Sequence, residues 1–222
     1  MNRRPLILFS AIVVTAMLVV SAWALVQLPA DAEIPIHWGI DGEPDGFAPA
    51  PVGLLLMPGV VALIAGLFAI IPSIEPRRAN FERSRQPYVV LWVGIVSLLG
   101  ALHVLVAAVA LGSEVEVGRI VPTGAGVLFL LIGAFLPRIR SNFLMGIRTP
   151  WTLTSERSWA RTHRLGAWLF VAAGLILVVL GLVDAPGEVT FPVLIGGVTA
   201  IVVALFAYSY VVWRGDPDRA IG

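Results

Sequence analysis

Six apolar runs separated by polar connections of unequal length organise the chain: residues 6–28, 52–71, 89–111, 120–136, 167–183 and 191–212. Each is close to the roughly 20 residues a helix needs to cross a bilayer, allowing for tilt. None alternates as a barrel strand does, and a crossing backbone has to satisfy its own hydrogen bonds, so the runs predict six transmembrane helices. The expected fold class is an all-α integral membrane protein, with residues 1–222 forming a single polytopic membrane domain. The first run follows Arg3 and Arg4 and contains Ala22-Trp23-Ala24, as a secretory signal would, but its length favours a retained span.

Composition agrees: 58% of residues are hydrophobic and 13% charged, with a mean hydropathy of +0.92, which excludes an ordinary soluble globule. The absence of cysteine removes disulfides, thiolate metal sites and a cysteine nucleophile. A formal charge of +1 gives no basic field for nucleic acid, so direct nucleic-acid binding is not expected. The placement of charge is more informative. All 15 basic residues are arginine, and 14 of them fall at the termini and in the second and fourth connections. The other connections carry Asp31, Glu33, Asp41, Glu43, Asp45, Glu114, Glu116, Asp184 and Glu188, with Arg119 as the sole base. By the positive-inside rule both termini are expected to be cytoplasmic. Trp23, Trp92, Trp168 and Trp213 lie near span ends, where indoles sit well among headgroups.

Two connections are long: the outer loop 1 at 29–51 and the inner loop 4 at 137–166, which includes the start of an amphipathic helix. In the outer loop, Ile34, Ile36 and Trp38 alternate with Pro35 and His37, so a short extended segment is expected to lay its apolar face on the bundle. Asp41-Gly42 and Asp45-Gly46 mark turns. Asp41, Glu43, Asp45 and Gly46 imitate the opening of a calcium loop, but Pro44 interrupts it and Val52 stands at the twelfth position, so no metal site is expected. In the inner loop, Pro150 biases Thr149 toward extended backbone. Thr154 is the expected N-cap of a helix with Glu156 in its first turn. On that helix Trp159, Thr162, His163 and Gly166 share one side, for packing, while Arg157, Arg161 and Arg164 share the other, for phospholipid headgroups. Arg148 is expected to reach helix carboxyl ends or a bound anion. His103 is the only ionisable residue deep inside a run, and a neutral ring bonded to a carbonyl or to Ser97 is expected. Gly196, Ala200 and Ala204 recur every four residues and allow a close helix approach.

The outer segment IPIHWGIDGEPDG and the inner segment GIRTPWTLTSERSWARTHRLG together resemble the SdpI family of bacterial multi-span membrane proteins, the outer one resembling that family's amino-terminal domain of unknown function. His37, Trp38, Gly39, Gly42, Asp45 and Gly46 match outside, with Asp41 beside them. Gly146, Arg148, Thr149, Pro150, Trp151, Trp159, Thr162, His163 and Arg164 match inside. The outer motif of the family usually continues with an aromatic, small residues and a lysine; here Phe47 is followed by Ala48-Pro49-Ala50.

The resemblance implies immunity to a secreted, membrane-active peptide toxin and, as in the namesake, capture of a cytoplasmic transcriptional repressor. It implies no catalytic residue and no cofactor. A small transporter or channel subunit for a peptide, lipid or ion is the alternative, with little support from spans that lack acidic residues. An intramembrane enzyme is disfavoured, because no H-E-x-x-H, G-x-S-x-G or buried carboxylate pair is present.

Overall fold

The computed structural model describes residues 2–40 and 42–219. Its long elements are α1 (Arg4–Gln27), α2 (Ala50–Ile74), α4 (Arg85–Ala110), α5 (Val117–Phe135), α7 (Glu156–Leu182) and α8 (Gly187–Arg214). All six are long and apolar enough to be membrane spans. The short elements are β1 (Glu33–Trp38), β2 (Pro44–Pro49), α3 (Arg78–Arg83) and α6 (Pro150–Leu153). The fold is mostly helical, as expected, with one addition of β-structure. Between α1 and α2 the chain forms an antiparallel hairpin, pairing Glu33 with Pro49 and Trp38 with Pro44.

Helices α1, α2 and α4 pack on one another, α7 packs against both α5 and α8, and contacts between α4 and α5 join the two groups. The first group is held by polar pins as well as apolar packing. Pro58 and Pro72 lie inside α2. Neither can donate to the carbonyl four residues earlier, which leaves Leu54 and Phe68 without helical partners. Ser21 of α1 donates to the Leu54 carbonyl at 2.8 Å, and the Tyr88 hydroxyl of α4 donates to that of Phe68. His103 is fully buried, with Nε2 3.1 Å from both Ser21 Oγ and the Met17 carbonyl. Of the two partners expected, the carbonyl is present, from Met17 on α1, and Ser97 is exposed. Trp92 is corrected: it is buried, stacks on Phe68 at 5.4 Å and donates to Ser10 Oγ at 2.8 Å rather than meeting headgroups.

Helices α5 and α7 run antiparallel and touch backbone to backbone. A Cβ added at Gly126 would lie 2.7 Å from the Gly174 carbonyl oxygen, and one at Gly174 would lie 2.7 Å from that of Gly126. Gly133 against Ala167 and Gly181 against Arg119 repeat the approach at 2.8 and 2.7 Å. The small residues recur every seven positions on both helices, the period that keeps one seam facing its partner. By contrast, an added Cβ at Gly196 has nothing within 4 Å, and Ala200 and Ala204 are exposed, so that stripe forms no close contact among the described residues.

Gly174→Leu should therefore prevent α5 and α7 from meeting, at a cost of about 3 kcal/mol or more. Gly196→Leu should leave stability within about 0.5 kcal/mol of the parent. Thermal unfolding of the two variants in the same detergent checks the contrast.

Candidate functional site

At the end of the bundle that carries most arginines, residues 139–149 run as irregular chain beneath the start of α7, and their backbone groups are bonded by side chains. Asn142 is fully buried; its Oδ1 accepts from the amides of Leu144 and Met145 at 3.0 and 2.7 Å, and its Nδ2 donates to the Arg140 carbonyl. Glu75, just beyond α2 and 1% exposed, accepts from the amides of Arg77 and Phe143. The Arg77 guanidinium donates to Ser141 Oγ and to the Leu153 carbonyl, and lies 4.6 Å from the Phe143 ring centroid. Buried donors and acceptors left unpaired would each cost about 1–3 kcal/mol, so these bonds decide whether the loop is ordered.

His163 completes the loop. Its Nδ1 donates to the Trp159 carbonyl at 2.8 Å, so Nε2 carries the lone pair and accepts from the Ile147 amide at 3.1 Å. A second proton would set N–H against N–H. Trp159 stacks on the His163 ring at 4.2 Å and donates to the Ile139 carbonyl. Gly146 adopts φ +103°, and an added Cβ there would lie 2.5 Å from His163 Nε2. Thr149 and Thr152 cap α6 reciprocally, with Pro150 at its first position; Thr149 also donates to Ser209 on α8. Trp151 packs edge-on against Phe206 and beside Tyr210.

The expected division of the α7 faces holds. Trp159, Thr162, His163 and Gly166 are buried, and Arg157, Arg161 and Arg164 are exposed. Two details are corrected. The N-cap of α7 is Ser155, whose hydroxyl accepts from the Ser158 amide at 2.9 Å, and Thr154 closes α6. Arg148 donates to the Phe143 carbonyl at 2.7 Å and so braces its own loop. The Ser155 hydroxyl also donates to Asp216 at 2.5 Å and holds that carboxyl below the usual carboxylate range. With its folded value depressed, this clasp contributes at neutral pH and is lost as pH falls through that value.

At the opposite end, Ile34 is 1% exposed and plugs the space between α1, α2 and α4, with Ala24, Leu54 and Ala107 around it. The strict alternation expected here fails: Pro35 is buried and Ile36 is exposed, because register shifts interrupt the pairing beside His37. His37 Nδ1 and Asp45 Oδ1 are 2.5 Å apart across the strands, with side chains 68% and 54% exposed. Gly46 faces His37 so closely that an added Cβ would lie 3.0 Å from the His37 Cβ. The Gly39 amide donates to the Glu43 carbonyl and the Gly42 amide to that of Gly39, and Gly42 has φ +83°, closing the turn. Asp41 lies outside the described residues. Trp38, Gly39 and Gly42 line a cavity of 290 Å³ between this turn and the starts of α5 and α8. No cluster of three or more metal-ligating side chains occurs among the described residues.

The two ends carry distinct sequence signatures. The profile of the SdpI/YfhL protein family matches residues 138–209, from the arginine-end loop through most of α8, and that of a domain of unknown function, DUF1648, matches residues 12–62, which include the hairpin. Both signatures that the sequence resembles are thus present in this chain. The immunity protein SdpI of Bacillus subtilis (strain 168) is 26% identical over 182 residues, which cover 80% of this chain and 83% of that protein. No solved structure matches. At the arginine end, sequence reasoning misses Glu75, Arg77, Asn142 and Asp216. Only Asn142 lies inside the motif-bearing loop; Glu75 is 68 residues from the amide it holds, so no local pattern marks it.

Gly146→Ala should destabilise the loop by about 2 kcal/mol or more through backbone strain and the clash with His163. Gly112→Ala, at φ +83° with nothing within 4 Å, isolates the backbone component and should cost less. Thermal stability and amide exchange of residues 143–147 provide the comparison.

Proposed function

We propose that this chain is an SdpI/YfhL member and a membrane immunity protein that protects the cell against a secreted, membrane-active peptide. The observation that carries the reading is the exposed His37–Asp45 pair, held by a hairpin that Ile34 seats on the bundle. An exposed ion pair contributes about 0–1 kcal/mol to stability, so folding alone gives little reason for it. The name of the Bacillus subtilis relative supports immunity as the outcome of contact at this end.

In this reading the arginine end is cytoplasmic and the hairpin end external, since basic connections stay inside. Both termini are then cytoplasmic, and the acidic connections form an external field that gathers cationic peptide. The residues act by contact rather than by bond chemistry, and no cofactor is needed. A cytoplasmic repressor, where one is captured, meets Arg148, Arg157, Arg161 and Arg164, which are exposed.

The test follows membrane potential in a toxin-sensitive bacterium challenged with cognate peptide or a broad peptide panel, with and without the gene. Wild type should preserve the potential. His37→Ala and Asp45→Ala, at equal protein level, should each require about tenfold less peptide for collapse, the effect of losing roughly 1.4 kcal/mol of contact. Wild type that protects against no peptide overturns immunity.

A further inference from the structure

The cavity beneath the hairpin turn is left unfilled by the chain's own packing. Ile36, Trp38, Val121, Pro122 and Phe191 give it apolar walls, and an added Cβ at Gly118, also in the wall, meets nothing within 4 Å. Gly53 and Gly187 in the same region are tightly covered, by Ile34 and by the Ile40 carbonyl. Whole small-molecule sites run from about 300 to 1,000 Å³. A volume of 290 Å³ therefore suits one large side chain rather than an entire ligand.

The rim carries the opposite character. Three wall residues, Gly42, Val117 and Gly187, are each adjacent in sequence to an acid: Glu43, Glu116 and Glu188. Arg119 offsets Glu116 at 3.1 Å and is the only base on the connections at this end. The wall also includes Gly118, to whose carbonyl Pro122, inside α5, has no N–H to give. Acidic rim and apolar well select a cationic chain with an apolar anchor, and they disfavour an anionic lipid.

We infer that this cavity is the anchor subsite for one large apolar side chain of a cationic peptide, with the surrounding carboxylates reading the peptide's positive charge. The inference rests on the peptide-immunity reading and specifies where that contact is made.

The test uses the full-length protein in phosphatidylcholine nanodiscs and a synthetic Lys/Leu peptide carrying one photoreactive benzoylphenylalanine. Expected are saturable binding and cross-links confined to residues 36–42, 117–122 and 187–191. Gly118→Leu, which adds bulk at the wall, should weaken binding about tenfold, while Gly196→Leu, equally open but remote, should not. Phe191→Ala should shift preference toward a naphthyl-bearing peptide, which a purely structural role for Phe191 would not do.

Unchanged affinity in a Gly118→Leu protein of wild-type thermal stability overturns the subsite. So does the absence of saturable binding, or cross-linking to lipid or to the groove between α4 and α5. The two readings separate in the cellular assay. Wild type that fails to protect while the probe still cross-links in the cavity ends the immunity reading and leaves the subsite standing. Full protection by Gly118→Leu ends the subsite and leaves immunity standing.

Discussion

A carbonyl without its helical N–H, placed where water cannot reach, costs several kcal/mol, and α2 has two of them because of Pro58 and Pro72. Their repair fixes the first half of the bundle. Ser21 has to face Leu54 and Tyr88 has to face Phe68, which sets the rotation of α1 and α4 about their axes. His103 then meets Ser21 and Met17, and Trp92 meets Ser10, as further links of the same seam. The hairpin depends on that arrangement, since Ile34 fits only if α1, α2 and α4 leave its slot. The arginine-end loop follows the same rule with different side chains: Asn142, Glu75 and His163 take amides that no helix provides for.

The second half is ordered by proximity. Gly126, Gly133, Gly174 and Gly181 bring α5 and α7 into backbone contact from one end of the bundle to the other. Few side chains intervene at this seam to repack, and close-packed interiors deform little. The N-terminal part of α5 lines the hairpin-end cavity, and the N-terminal part of α7 carries Trp159 and His163 at the loop. One stiff pair of helices thus spans the distance between the two family signatures. This gives a physical connection; coupling between the ends is a separate quantity, defined by a free energy.

What the sequence made legible was local. The six spans follow from run length, and the two faces of α7 follow from a 100° periodicity that neighbouring elements do not alter. The misreadings occur where a partner lies far along the chain. His103 has the carbonyl partner expected of it, but the hydroxyl beside it is Ser21 rather than Ser97, and Gly196, Ala200 and Ala204 have helix-packing spacing without a helix opposite. The useful glycines are spaced by seven rather than four, which matches the small crossing angle of an antiparallel pair. The sequence predicts one extended segment where the structure has a paired hairpin, because strand pairing depends on a register that the turn residues only suggest. Thr154 and Ser155 are both good caps, and the choice fell to the residue that also reaches Asp216.

The two signatures differ in what their residues are free to do. In the loop signature, Gly146, Thr149, Trp159, Thr162 and His163 are inaccessible or committed to holding backbone. Substitutions there act first on folding, and a lost phenotype says little about contact with a partner. The exposed surface at this end includes the arginines and the Phe143 ring. In the hairpin signature the balance is reversed. Gly42 and Gly46 serve the turn, but His37 and Asp45 are exposed, and their pairing adds little to stability. Trp38 lines an open well rather than a closed core. A fold that seats this hairpin through Ile34 and leaves those three side chains uncommitted therefore makes the hairpin end the stronger candidate for direct recognition.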